Sequence, residues 1–170
     1  MRAALAGLLA LAALAVPVRA AAQVPAPRLA ARAIAQLPRP LPAPYVAGDA
    51  KPAIAAAARR ARAANKRLLL DFGANWCVDC RVLAGVFALP QMRPWLARHF
   101  ELVTIDVGRF DANLDVAARF GVDLGAVPAV LIVDPRSGRL LNRGDELGLG
   151  DAGTMQPQQM ADWLARWASP

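Results

Sequence analysis

The two cysteines of the chain, Cys77 and Cys80, stand two residues apart, and the sequence contains no others. They follow a short apolar run at residues 68–70 and a turn of small residues, and they lead into helix-like sequence. A dithiol at a helix N-terminus favours redox chemistry, because unpaired backbone N–H groups and the helix dipole stabilise a thiolate. The sequence predicts that Cys77 attacks a substrate disulfide. Cys80, one turn further on and more buried, should then resolve the mixed disulfide.

Other uses of a cysteine pair fit this chain less well. A structural zinc site needs four ligands, whereas the chain offers two cysteines and one distant histidine, His99. A c-type haem site needs histidine directly after the second cysteine, and Arg81 stands there. We therefore expect no cofactor. A copper(I) site built on two thiolates, and a scaffold whose dithiol is idle, stay open as non-catalytic alternatives.

Asp79 lies between the two cysteines, and its negative charge opposes the effect of the helix dipole on the Cys77 thiol. Two charges roughly 7 Å apart interact by about 0.6 to 2.4 kcal/mol for effective dielectric constants of about 80 to 20. This repulsion would make the Cys77 thiolate, and with it the reduced protein, less stable. We expect Asp79 to tune the redox potential towards the reducing side. The alternative is a solvated acid that only complements the helix dipole.

The chain around the dithiol alternates between helix and strand patterns. Helices are predicted at residues 51–65, 77–89, 92–99, 114–120 and 157–168. Strands are predicted at residues 67–72, 100–107 and 129–133, with residues 139–142 pairing back as a hairpin strand. This order predicts an α/β sandwich around a mixed sheet.

The first 22 residues have the pattern of a cleaved secretory signal. A positive start is followed by an apolar run at residues 3–16 and by the small-residue cluster Ala20-Ala21-Ala22. We expect cleavage after Ala22 and export to a periplasm. An uncleaved membrane anchor is the alternative.

Residues 23–48, here called the leader, are rich in proline. Seven of the 14 prolines lie in residues 23–52. Proline lacks a backbone donor and fixes its own backbone, so this stretch cannot be helix or central strand throughout. The sequence predicts a partly disordered spacer, or a docking arm for a partner, ahead of one domain at residues 49–170.

The basic charge of the chain does not indicate nucleic-acid binding. The formal net charge is +7, and most of the 20 basic residues are scattered arginines. No basic run with interleaved aromatic residues is present, so we expect no nucleic-acid partner.

Residues 70–80 resemble the active-site segment of the thioredoxin superfamily, in which a tryptophan such as Trp76 directly precedes the first cysteine. Within the superfamily they are most similar to the secreted C-terminal domain of DsbD, a disulfide-reducing electron carrier. A basic residue after Cys80, then Phe87 and Pro90 at matching spacing, carry that likeness. The resemblance implies a thioredoxin-like three-layer sandwich with a central mixed sheet.

The resemblance also implies further site residues. Asp71 falls where thioredoxins carry a buried aspartate, which would accept the proton of Cys80 through water. Pro128 matches the cis-proline that faces the dithiol, and Val127 before it would offer backbone hydrogen bonds to a substrate. Trp76 would help to shape the contact. Gly85 replaces a helix-kinking proline of many thioredoxins.

Leu102 is a further departure from the family pattern, because it replaces a lysine that usually faces the buried aspartate. The function implied is that of a periplasmic thiol–disulfide oxidoreductase that reduces protein disulfides. A membrane carrier would supply its electrons. An oxidase or an isomerase is the enzymatic alternative.

Overall fold

Residues 23–168 are described by a computed structural model that contains five α-helices and one three-stranded sheet within this range. The strands are β1 (Arg67–Gly73), β2 (Phe100–Asp106) and β3 (Ala129–Val133). The helices are α1 (Lys51–Ala64), α2 (Val78–Phe87), α3 (Met92–His99), α4 (Leu114–Ala118) and α5 (Pro157–Ala165). A short 3₁₀ turn, Ile34–Gln36, lies in the leader.

The sheet is mixed and has the strand order β2-β1-β3. The central strand β1 runs parallel to β2, with Asp71 opposite Thr104. It runs antiparallel to β3, with Asp71 opposite Val130. Since β1 is paired on both edges and covered on both faces, six of its seven residues are buried, which accounts for its unbroken apolar run.

Alternate residues of the strands face two separate hydrophobic clusters. Leu68, Leu70 and Phe72 of β1 pack with α1 and α4. Leu69, on the opposite face, packs with α2, α3, α5 and the leader. Helices on both faces of a mixed sheet make the three-layer α/β sandwich that the sequence predicts. Asp71 shares the face of Leu69, because side chains two positions apart on a strand point the same way.

The helices and principal strands lie where the periodicity predicts them, and their ends differ from the predictions by at most three residues. The prediction of a hairpin strand at residues 139–142 is wrong. Only one bridge, between Val133 and Leu140, is formed there. The buried side chain of Asn142 takes the place of a strand backbone. It accepts from the Ile132 N–H at 2.8 Å and donates to the Val130 carbonyl at 2.7 Å.

The leader packs against the domain, whereas the sequence predicts a partly disordered spacer. Leu29, Leu37 and Leu41 are buried in the same cluster as α2, α3 and α5. Gly85 makes room for them, since a Cβ there would lie 3.0 Å from the Leu41 side chain. Proline excludes helix and central strand, but an extended chain can still bury its leucines.

Side chains of the domain bind the carbonyl groups that the leader leaves unpaired. Trp95 donates to Pro25 at 2.9 Å, and Gln158 donates to Pro27 at 3.1 Å. Arg81 donates to the carbonyl groups of residues 41 and 42. These backbone acceptors of the leader are therefore paired without regular structure.

The predicted signal, residues 1–22, lies outside the described residues, and so does its expected cleavage after Ala22. None of the helices within residues 23–168 has the length and apolar character needed to cross a membrane.

Candidate functional site

The two cysteines lie at the N-terminus of α2 and form a disulfide. Cys77 is the N-cap residue, and its sulfur accepts the backbone N–H of Cys80 at 3.2 Å. Cys80 is fully buried, whereas Cys77 keeps 7% of its surface exposed. In the reduced protein the N–H groups of the first turn would stabilise a Cys77 thiolate. Cys77 is thus the more exposed of the two cysteines.

The peptide bond between Val127 and Pro128 is cis and lies beside the dithiol. The Val127 carbonyl oxygen is 3.5 Å from the sulfur of Cys77. Pro128 is buried directly before β3, whereas Val127 is partly exposed and packs against the cluster that holds both cysteines. A chain that approached Cys77 would therefore meet the backbone of Val127.

Trp76 forms the exposed wall next to Cys77. Its indole N–H donates to the Gly108 carbonyl at 2.7 Å, and the Arg109 guanidinium lies 5.3 Å from the centre of its ring. The ring is fixed by these contacts, yet 45% of Trp76 is exposed. Val78, on the other side of Cys77 in the chain, is 69% exposed. Two exposed apolar side chains thus flank Cys77.

Asp71 lies on β1, beneath this surface, and is completely buried. Its Oδ2 accepts a hydrogen bond of 2.9 Å from the hydroxyl of Tyr45. Burial raises the pKa of Asp71 from 3.8 to about 7, and the Tyr45 hydrogen bond opposes that rise. A carboxyl group with this pKa can both accept and release a proton near neutral pH.

Tyr45, at the end of the leader, contacts the dithiol and Asp71 together. Its ring packs with Cys77 and Cys80, and its hydroxyl reaches Asp71. Burial, followed by the charge of the Asp71 carboxylate, raises the pKa of Tyr45 far above its usual value. The hydroxyl therefore keeps its proton and acts as a donor. The prolines of the leader did not indicate this residue. The available signal was that the only tyrosine of the chain directly follows the last leader proline.

A cavity of about 490 Å³ reaches Asp71 from the β2 side. Pro44 of the leader, Ala84 and Phe87 of α2 and Thr104 of β2 line it. Ala84 lies one helical turn after Cys80 on the same helix. Within residues 23–168, no protein donor reaches the other carboxyl oxygen, Oδ1. The cavity thus borders Asp71, whose carboxyl group itself stays buried.

Asp79 is placed differently from the solvated acid of the alternative prediction. It is half-buried, and its Oδ1 accepts the backbone N–H of Gly153 at 2.6 Å. A Cβ at position 153 would lie 2.8 Å from this oxygen, so an alanine there would displace the Asp79 carboxylate. The carboxylate is held on the outer side of α2 by the loop that precedes α5. Among residues 23–168, no three potential metal ligands are grouped together.

The family model described as thioredoxin-like matches residues 49–135. The chain belongs to this thioredoxin-like family. The match includes the dithiol, Asp71 and the cis bond before Pro128, and it ends two residues after β3. The family identity agrees with the three-layer sandwich and with the resemblance stated from the active-site segment. A search of the curated proteins finds no match.

Among solved structures, the thioredoxin-like chain is similar to a disulphide isomerase from Xylella fastidiosa Temecula1. The two are 35% identical, the match covers 74% of this chain and 96% of that one, and the TM-score is 0.68. The oxidised C-terminal domain of DsbD from Neisseria meningitidis also matches. It has 24% identity, coverage of 55% of this chain and 83% of that one, and a TM-score of 0.42.

The structure brings together most of the side chains that the sequence singled out. Cys77, Cys80 and Val127 share one cluster, and Asp71 is joined to it through Tyr45. Trp76 flanks the cluster, while Asp79 turns away towards Gly153. The roles of these residues stay predictions. A cystine at a helix N-terminus on a thioredoxin-like fold supports thiol–disulfide oxidoreductase chemistry.

Proposed function

We propose that the protein is a periplasmic thiol–disulfide oxidoreductase that reduces disulfides in protein substrates. One observation carries the proposal above all: the Cys77 sulfur lies at the N-cap of α2 and 3.5 Å from the Val127 carbonyl, which precedes a cis bond. This arrangement combines a stabilised thiolate with a backbone edge on which a substrate chain can lie.

The reaction begins with the reduced dithiol. The Cys77 thiolate attacks one sulfur of a substrate disulfide, the substrate S–S bond breaks, and its other sulfur leaves as a thiolate that takes up a proton from water. Cys80 then attacks the Cys77 sulfur of the mixed disulfide. The second substrate sulfur leaves, and the Cys77–Cys80 disulfide forms. Two electrons pass from the dithiol to the substrate.

The resolving step requires that the Cys80 thiol lose its proton. Cys80 is fully buried, and Asp71 lies on the sheet face that α2 covers. Because burial raises the pKa of Asp71 to about 7, its carboxylate can accept this proton near neutral pH. The cavity beside Asp71 supports a transfer through water.

Substrate contact is assigned to the exposed surface around Cys77. An extended segment that carries a disulfide would pair with the backbone of Val127 and cover Trp76 and Val78. The backbone provides affinity without sequence selection, so several protein substrates are expected. Nucleic acid is not among the proposed partners.

A reductase also needs a source of electrons, because each turnover leaves its dithiol oxidised. A membrane carrier that delivers electrons to the periplasm is the proposed donor. The periplasmic location is supported by the sequence pattern of residues 1–22. The intact mass of the protein recovered from a periplasmic fraction tests it: cleavage after Ala22 is expected, and a full-length mass would contradict it.

Reduction of insulin with dithiothreitol as the electron source tests the activity. The wild type should bring forward the onset of turbidity, and the Cys77→Ser variant should behave like dithiothreitol alone. Equal onset for the two proteins would rule out catalysis. A copper(I) carrier or a scaffold with an idle dithiol would then become the better account.

Disulfide isomerisation is a second candidate, favoured by the 35% identity to the Xylella fastidiosa disulphide isomerase. Recovery of activity from scrambled ribonuclease A, with a catalytic amount of the protein reduced beforehand and no further reductant, distinguishes the two. A reductase alone should give little recovery. The redox potential, measured at equilibrium with glutathione, tests the direction of electron flow. A value of about −120 mV, typical of a strong oxidant, would contradict the reductase.

A further inference from the structure

Hydrogen bonds, in addition to packing, hold the end of the leader beside the dithiol. The backbone N–H of Tyr45 donates to the Asn75 side-chain oxygen at 3.1 Å, and the Asn75 amide donates back to the Tyr45 carbonyl at 2.7 Å. Gly73 leaves the space that the ring fills, because a Cβ there would overlap the Tyr45 ring. The backbone, the ring and the hydroxyl of Tyr45 are thus all fixed by residues of the active-site segment.

The Tyr45 hydroxyl is the group that faces the Asp71 carboxyl most directly. Other ionisable groups lie nearby on each neighbouring element. Cys77 at the N-cap of α2, and Cys80 within α2, pack against the Tyr45 ring, and Arg81 follows them. The cavity beside Asp71 is lined by Arg93 of α3, Glu101 of β2 and Lys66 before β1. Lys66 is paired with Glu101 at 2.9 Å, and Arg81 with leader carbonyl groups. Among residues 23–168, Tyr45 alone is hydrogen-bonded to the Asp71 carboxyl, and this contact opposes the effect of burial on that group.

We propose that Tyr45 is a positioning residue for the dithiol reaction: its hydroxyl holds Asp71 by Oδ2 and sets how strongly the carboxyl binds the proton of Cys80. This rests on the proposed function, in which Asp71 accepts that proton. The hydrogen bond favours the carboxylate, while burial favours the neutral acid. The leader thereby supplies a polar group that faces Asp71, in a chain that has Leu102 where the family resemblance implies a lysine.

The hydrogen bond can be tested without any activity. In the oxidised protein, the carboxyl carbon of Asp71 is titrated by ¹³C NMR in the wild type and in Tyr45→Phe, which keeps the ring. Loss of a donor to a carboxylate should raise the Asp71 midpoint by about one pH unit. An unchanged midpoint in the folded variant would overturn the proposal.

Thr104→Val is the matched control. The Thr104 hydroxyl donates to the Pro44 carbonyl at 3.3 Å, so it also holds the end of the leader. Unlike the Tyr45 hydroxyl, it does not bind Asp71. The Asp71 midpoint should stay where it is in the wild type. A shift equal to that of Tyr45→Phe would mean that general loosening of the leader, and not the hydroxyl, is responsible.

Fluorinated tyrosine gives a second test that keeps every heavy atom of the side chain. Tyr45 is the only tyrosine of the chain, so biosynthetic incorporation of 3-fluorotyrosine alters this position alone. Its more acidic hydroxyl is a stronger donor, and the Asp71 midpoint should fall. A rise or no change would contradict the proposal even if Tyr45→Phe fails to fold.

The consequence for catalysis is measured on the resolving step. At pH 7, Tyr45→Phe should slow release of substrate from the mixed disulfide about fivefold, as the ionised fraction of Asp71 falls, and the rate should recover at higher pH. In an Asp71→Asn background the same substitution should have no effect on this step. An equal loss in both backgrounds would contradict the proposal. If the wild type exchanges no disulfides, the proposed function is contradicted instead, and the NMR titration still tests the effect of the Tyr45 hydroxyl on Asp71.

Discussion

The two carboxylates nearest the dithiol differ in almost every physical respect. Asp71 lies beneath it on β1, completely buried, with a tyrosine hydroxyl on one oxygen. Asp79 lies between the cysteines on α2, half-exposed, and accepts a backbone N–H from Gly153. The same side-chain chemistry therefore meets two environments. We expect burial to make the first a proton acceptor near neutral pH, and the second to act on the dithiol only through its charge.

From this difference we expect the two acids to act in different parts of the reaction. Asp71 should affect the rate at which Cys80 resolves the mixed disulfide, because that step moves a proton. Asp79 should affect the equilibrium between dithiol and disulfide, because its charge opposes the Cys77 thiolate. Variants of the two residues thus test the contrast directly.

The largest expected effect is on stability. Because burial raises the pKa of Asp71 from 3.8 to about 7, the folded oxidised protein binds more protons than the unfolded chain between these values. Its free energy of unfolding should fall by up to about 4 kcal/mol as pH rises through this window. Urea unfolding from pH 4 to pH 8 measures the fall. The difference between wild type and Asp71→Asn should isolate it, since groups such as Glu101 contribute equally to both.

The matched control is Asp79→Asn. Its free energy of unfolding should fall between pH 4 and pH 8 by as much as that of the wild type. A fall of the same size in Asp71→Asn would show that another group causes it. The contrast between the two carboxylates would then be lost.

The next effect is kinetic. Asp71→Asn should slow resolution of the mixed disulfide about 100-fold at pH 7, since general-base assistance is typically of this size. Asp79→Asn should change this rate less than about tenfold. Rapid acid quenching followed by mass spectrometry separates the mixed disulfide from the product. Similar losses in both variants would remove the kinetic distinction.

Two glycines allow a structural version of the comparison. In Gly73→Ala the new methyl group overlaps the Tyr45 ring, whereas in Gly153→Ala it approaches only the Asp79 carboxylate. Overpacking in the buried site should destabilise the first variant by about 2 kcal/mol. The second should lose less than about 1 kcal/mol, because a single side-chain hydrogen bond is replaced by water. Thermal unfolding measures both, and the reverse order would contradict the account.

The smallest effect concerns Asp79 and the thiolate. Removing its charge in Asp79→Asn should raise the ratio of thiolate to thiol at Cys77 about threefold near neutral pH, as expected for a largely solvent-screened pair. The rate of alkylation by iodoacetamide in the reduced protein reports this ratio. A lower rate than in the wild type would mean that Asp79 stabilises the thiolate.

The sequence predicted the dithiol and the sheet because their signals are local. The apolar run of β1 and the spacing of Cys77 and Cys80 place a cystine at a helix N-terminus without knowledge of distant contacts. The cis bond before Pro128 is different: the resemblance implied it, and no local chemistry requires it.

Residues that act at long range were missed. Tyr45 meets Asp71 across 26 positions in the chain, and the prolines around it indicated only that helix and central strand are excluded. Asn142 was expected to continue a hairpin strand, but its side chain bonds β3 in place of a backbone. In both cases a polar side chain satisfies a buried group, which periodicity does not detect.

The central claim is that Cys77 attacks and Cys80 resolves, and trapping the intermediate tests it most directly. The reduced Cys80→Ala and Cys77→Ala variants are each mixed with a peptide that contains one disulfide, and their intact masses are measured after acid quenching. We predict that Cys80→Ala accumulates a stable mixed disulfide on Cys77, while Cys77→Ala, whose remaining thiol is buried, accumulates little. Equal trapping by the two variants, or trapping by Cys77→Ala alone, would contradict the account.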